Sequence, residues 1–173
     1  MMRNQMPNAY GWIMTVAILA LILFLMAIIL FPQPAIATVA RIEESPGQVL
    51  YRSQHRLQDQ SGKTWQVIVF KQIQPGQAAS LQLRLVGLPG AAEVVHPQPL
   101  MIQPKQGGVL TATDVFLEEA PLPTIGQYNV GNLISELPTE DLRLKIPLVG
   151  HQFVELQVPR SIVQEWQTVA TQS

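Results

Sequence analysis

Thr64 to Val86 reads TWQVIVFKQIQPGQAASLQLRLV. Its first part, Thr64 to Ile73, is rich in β-branched and aromatic side chains, which fit a pleated strand. Successive side chains of a strand point to opposite faces, so Trp65, Val67 and Val69 share one face and Ile68 and Phe70 the other. Apolar residues on both faces predict a central strand covered on both sides. Pro75-Gly76 closes this strand. Ser80 to Val86 then alternates cleanly, with Leu81, Leu83 and Leu85 inward and Gln82 and Arg84 outward. Pro89-Gly90 ends it.

The same grammar extends in both directions. Upstream, Gln48 to Leu57 alternates loosely and is joined to Thr64 by the turn cluster Asp59-Gln60-Ser61-Gly62, while Glu44-Ser45-Pro46-Gly47 reads as a turn or linker. Downstream, Leu100–Gln103 and Val109–Phe116 flank Pro104-Lys105-Gln106-Gly107-Gly108, a hairpin signal. Leu142–Leu148 alternates, and Pro147 marks an edge or a strand end. Val149-Gly150-His151-Gln152 reads as a tight turn leading to a partner strand through Val154, Leu156 and Val158. Two stretches read as helical. Val130–Leu137 is short and stops before Pro138. In the second, Ser161 and Gln164 have capping-box spacing, and Ile162, Trp166 and Val169 follow on one helical face. The expected fold is mainly β: an antiparallel β-sandwich or barrel of about seven to nine strands with a short helix and a C-terminal helix.

A different physics governs the N-terminus. Gly11 to Phe31, GWIMTVAILALILFLMAIILF, carries no charge, and residues 1–37 carry only Arg3. A helix apolar on every face and this long is suited to hydrocarbon, which takes about 20 residues to cross. Arg3 and the amino terminus hold the N-terminal side in the cytoplasm by the positive-inside rule. Residues 38–173 are then expected on the far side as a single β-rich domain. Residues 1–37 form either a secretory signal peptide, with Ala35 and Ala37 as small cleavage-site residues, or an uncleaved signal anchor, which the length of the apolar run favours.

The chain has 173 residues, a net charge of -1 and no cysteine. Absence of cysteine excludes a disulfide framework, an iron–sulfur cluster, thiolate zinc sites and a lipoprotein anchor. No basic excess or stripe points to nucleic acid. Glutamine is frequent at outward positions, as at Gln66, Gln72, Gln74, Gln82, Gln98 and Gln103, and gives a polar surface of modest charge. Arg52, Arg56 and Lys63 form a mild basic patch around the first hairpin, suited to acidic lipid or an acidic partner or simply solvated.

Catalytic chemistry finds no pattern. His55, His96 and His151 lie in different segments without the paired spacing of metal ligands, so solvated or turn histidines are expected and no metal site. Glu93 and His96, three apart on an extended stretch, point to opposite faces. Ser53 lies near His55, but no serine sits in a G-x-S-x-G elbow. Glu43-Glu44, Glu118-Glu119 and Glu140-Asp141 read as solvated loop charges rather than a general acid–base pair. Gly107-Gly108 lacks the lysine of a phosphate loop and is hairpin chemistry. Trp65 and Trp166 sit on periodic apolar faces and read as core. No catalytic residue and no cofactor is expected.

Several stretches together resemble a known family: Gly47-Gln48-Val49-Leu50-Tyr51-Arg52-Ser53, then Asp59 with Gly62 and Trp65-Gln66-Val67, then Leu83-Arg84-Leu85-Val86-Gly87 with Pro89-Gly90. His96-Pro97 and Val163-Gln164-Glu165-Trp166-Gln167 continue the match over most of residues 43–167. The chain resembles small exported cyanobacterial proteins classed as a domain of unknown function. The resemblance implies the periplasm or thylakoid lumen and no assigned activity. The leading expectation is a non-enzymatic accessory or binding domain beside a membrane, with a protein partner, on a photosynthetic or envelope complex. The alternatives are a lipid- or pigment-binding β-barrel carrier and a hydrolase with a dispersed site.

Overall fold

The computed structural model describes residues 13–21, 39–45 and 47–173. Two compact units divide the chain, Met1–Ile36 and Ala37–Ser173. In the first, residues 13–21 form helix α1, with its side chains exposed. Among the described residues no helix is long and apolar enough to cross a membrane. The rest of the apolar run, and Ala35 and Ala37, lie outside the described residues.

In the second unit nine strands form one antiparallel sheet: β1 (Ala40–Ser45), β2 (Gln48–Gln58), β3 (Thr64–Ile73), β4 (Ser80–Gly87), β5 (Leu100–Pro104), β6 (Leu110–Asp114), β7 (Ile125–Asn129), β8 (Leu142–Leu148) and β9 (Gln152–Val158). Their order is β1-β2-β3-β4-β7-β6-β5-β8-β9. Two short helices complete the unit, α2 (Leu133–Glu136) and α3 (Arg160–Thr171). The mainly β, antiparallel fold expected from the alternating segments is therefore the fold observed.

The inward residues of strands β2 to β9 join one core. Trp65, Val67 and Val69 of β3, Leu83 and Leu85 of β4, Leu144 and Ile146 of β8 and Leu156 of β9 are inaccessible to solvent. The sheet is open but curls far enough for Asp59, just past β2, to bridge Leu156 of β9. At that point the Asp59 side chain organises the β2–β3 turn. Its Oδ1 accepts from the Ser61 amide at 2.8 Å, the Ser61 hydroxyl at 2.7 Å and the Lys63 amide at 3.0 Å, and its Oδ2 accepts from the Trp65 indole at 2.9 Å. Burial disfavours the charged carboxylate, but these four donors outweigh it and hold the carboxyl below its ordinary range.

Helix α3 lies on the inner side of β2 and β3. Ile162, Val163, Trp166 and Val169 are buried, as the helical periodicity predicts. The Lys71 ammonium donates to the carbonyls of Ala170 at 2.7 Å and Gln172 at 2.6 Å, fixing the C-terminal end of α3 where a cation is favourable.

Four expectations need correction. The capping box does not form: Pro159 is the N-cap, without a side-chain cap bond, and Ser161 lies inside the helix. Proline at that point sets an extended backbone one residue earlier, and Asp141 instead accepts from the Arg160 amide at 2.9 Å. The helix expected over Val130–Leu137 shrinks to Leu133–Glu136. Strands β1 and β7 add to the expected set. Strand β7, IGQYN, lacks alternation and exists because β4 and β6 pair with it on either side. Finally, β3 is central but its outer face is uncovered: Ile68 and Phe70 remain partly exposed.

Candidate functional site

That uncovered face is the most distinctive surface of the domain. Alternation places Arg52 and Arg56 of β2, Ile68 and Phe70 of β3, and Arg84 and Val86 of β4 on it. In register, Arg52 lies opposite Phe70, Ile68 opposite Arg84, and Arg84 opposite Gln127 of β7. The Arg84 guanidinium sits 5.3 Å from the centre of the Phe70 ring, a cation–π contact. Its Nε donates to Gln127 Oε1 at 2.7 Å, and the Gln127 amide donates in turn to Gln82. Arg84 is thus held on two sides, and its terminal nitrogens stay available. Leu50, Arg52, Ile68, Phe70, Gln72 and Arg84 line an open depression of about 250 Å³.

Charge sets this face apart from the other half of the sheet. No outward position of β2, β3, β4 or β7 is Asp or Glu. Across β8 and β9, by contrast, Arg143 and Lys145 both meet Glu155, at 3.3 and 3.5 Å, and Lys105 pairs with Asp141 at 2.7 Å. Strong hydrogen bonding and charge with Lys105 lower the Asp141 carboxyl and raise the Lys105 ammonium. Among the described residues no carboxylate forms an ion pair with Arg52, Arg56 or Arg84. Their signal was in the sequence as the patch of Arg52 and Arg56. Arg84, which reads as a solvated outward residue of a neighbouring strand, joins them only through the register, and Lys63 lies apart in the turn between β2 and β3.

The histidines have other roles. His151 adopts a left-handed backbone (φ 58°) beside Gly150 (φ 84°), a hairpin-turn position that histidine tolerates better than most residues. His96 is not solvated: its side chain is 5% exposed, and its Nδ1 lies 2.7 Å from Asp114 Oδ2 while its Nε2 lies 3.0 Å from the Ile125 carbonyl. Asp114 also accepts from the amides of Gln98 and Phe116. The arrangement ties the β4–β5 connection to β6 and β7 and leaves Asp114 no oxygen for chemistry.

His55 meets Ser53 and a residue that sequence reasoning missed, Glu165 of α3. His55 Nε2 lies 2.7 Å from Glu165 Oε2 and 3.2 Å from Ser53 Oγ, and Ser53 Oγ donates to the same Oε2 at 2.8 Å. In a nucleophilic triad the serine and the carboxylate engage opposite nitrogens of the imidazole. Here both crowd one nitrogen, and Ser53 is wholly inaccessible. The cluster anchors α3 to β2. Glu165 gave no signal because it stands 112 residues from Ser53 in sequence. Among the described residues no three His, Asp or Glu side chains are placed to hold a metal ion. Glu140 and Asp141 are loop residues that also bind the Gln106 and Arg160 amides.

These features define a mainly β domain of one antiparallel sheet, with a C-terminal helix in its concave side and a basic, partly apolar outer face. The chain belongs to the family described as protein of unknown function (DUF3122), whose model matches residues 37–169. No curated protein and no solved structure matches it.

Proposed function

We propose that this chain is a non-enzymatic accessory domain, carried across a membrane of a photosynthetic bacterium, that docks through the outer face of β2–β4 onto an acidic protein surface in the periplasm or thylakoid lumen. The observation that carries the docking role is the cluster of three arginines, without an ion-paired carboxylate among the described residues, around partly exposed apolar side chains. Apolar area contributes about 25 cal/mol per Å² removed from water, and the arginines supply steering and register. A partly apolar strand face flanked by charge is what a soluble domain leaves open for a partner. Export rests on the uncharged run of residues 11–31. The carrier alternative is less well supported, because Trp65, Leu83, Leu85, Tyr128 and Trp166 fill the interior where a ligand would sit.

Photo-crosslinking tests the proposal. A crosslinking residue at Gln54 or Gln66, on this face, is expected to give a discrete protein adduct in the host that disappears on R52E/R84E substitution. The same residue at Gln103 or Gln157, on the outer side of β5 and β9, should give none. Equal adducts from both faces, or adducts indifferent to the arginines, would end the docking reading. A reporter fused after Ser173 that is active only in the cytosol would end the export reading.

A further inference from the structure

The depression between Arg52 and Arg84 has the parts of a carboxylate clamp. Phe70 forms its floor and presents its ring to the Arg84 guanidinium at 5.3 Å. Gln127 occupies Arg84 Nε, so the two terminal nitrogens remain as a pre-oriented pair of donors. Arg52 reaches the same depression from β2, directly opposite Phe70. Pre-organisation matters, because less side-chain freedom is lost when an anion binds.

We propose that this depression binds the side-chain carboxylate of an extended acidic segment of a partner protein, gripped by Arg84 and Arg52. The inference rests on the docking reading above and names the chemistry of the contact. Arg56 stands four residues from Arg52 on the same strand, roughly 13 Å away at about 3.3 Å per residue. An extended segment with a second carboxylate four positions from the first therefore engages Arg56 as well. The neighbouring glutamines Gln54 and Gln66 offer neutral donors and acceptors that suit a peptide backbone. A bilayer is a poorer match. The apolar side chains here are half-buried in a strand face rather than raised on loop tips, and nothing among them can enter the acyl region.

Binding of a fluorescent acidic peptide, with two glutamates four positions apart, to the full chain in mild detergent tests this directly. The peptide should bind with an affinity that falls as salt rises, and its glutamine counterpart should not bind. R84Q should weaken binding about tenfold or more, as loss of a charged bidentate contact implies, and R84K should restore only part because it keeps the charge without the fork. Near-UV circular dichroism of each variant confirms the fold, which an exposed residue such as Arg84 does not dictate. Equal binding by wild type and R84Q, or no binding by wild type, overturns the inference. So does Arg84-dependent binding to phosphatidylglycerol vesicles without peptide binding, or displacement of the peptide by inorganic phosphate at far lower concentration than by free glutamate. Loss of the inference with the photo-adducts intact would leave the docking face standing with a different contact chemistry. Loss of the adducts removes both.

Discussion

Replacing Asp59 by Asn changes one atom of a carboxylate that gathers four donors at the point where the sheet closes. Three donors converge on Oδ1 and the Trp65 indole on Oδ2. An asparagine offers one acceptor oxygen and one NH₂. In its cheaper orientation it keeps the turn and sets its NH₂ against the Trp65 N–H, donor against donor. The indole, on a side chain with no solvent exposure, is left without a partner. Losing one charge-assisted bond and orphaning a buried donor costs about 2–4 kcal/mol. For a domain of this size that lowers the midpoint of thermal unfolding by roughly 6–15 °C. The assay is thermal and urea unfolding of the full chain in mild detergent, followed by near-UV circular dichroism, from pH 7 down to about pH 2, through the range below the unfolded value where the carboxylate is protonated. The folded carboxyl lies below its unfolded value near 3.8. Its contribution is thus complete above that value and is lost as pH falls through the folded one. Wild type should therefore lose stability on acidification, while D59N loses less, and the two curves should converge. A loss at pH 7 below about 0.5 kcal/mol, within the range of surface substitutions, would refute the reasoning, as would parallel acid branches.

Other perturbations probe the rest of the fold by the same unfolding assay. Burial, and then the Asp114 charge, push the Tyr128 hydroxyl well above the ordinary phenol range, and its oxygen has no hydrogen-bond partner. Tyr128→Phe is therefore expected to be neutral or stabilising by up to about 1 kcal/mol, and a clear loss would reveal an unrecognised partner. Gly126→Ala should destabilise by about 1–3 kcal/mol, because its Cβ would come within 2.7 Å of the Tyr128 hydroxyl oxygen; in a Tyr128→Phe background part of that cost should disappear. Glu165→Ala strips the buried Ser53 hydroxyl and the partly exposed His55 of their common acceptor and should cost about 1–3 kcal/mol, with α3 amides exchanging faster than those of β3.

Much of this architecture is legible in the chain because alternation is a local property. Thr64–Ile73 and Leu142–Leu148 have the bounds that their side-chain pattern implies, and the buried face of α3 follows from Ile162, Trp166 and Val169. What escaped was structure whose cause is non-local. Strand β7 has Gly126 at an inward position where alternation would want an apolar side chain, and pairing with β4 and β6 makes it a strand. Asp59 reads as an ordinary turn residue until β9 comes to lie beside it. His96 and His55 look solvated until Asp114 and Glu165 arrive from distant segments.

The candidate site divides in the same way. Composition and alternation alone determined that the domain is β-rich and cysteine-free, and that Arg52, Arg56 and Arg84 point away from the core. They could not determine that the arginines share one face, or that Phe70, which reads as core, stays partly exposed beneath Arg84. Register between β2, β3 and β4 placed them together, and the packing of α3 on the opposite side of the sheet left their face open. The physical reason is range: the pleat of a strand is set by neighbouring residues, whereas which strands meet, and which face stays in water, is set by the burial of the whole chain.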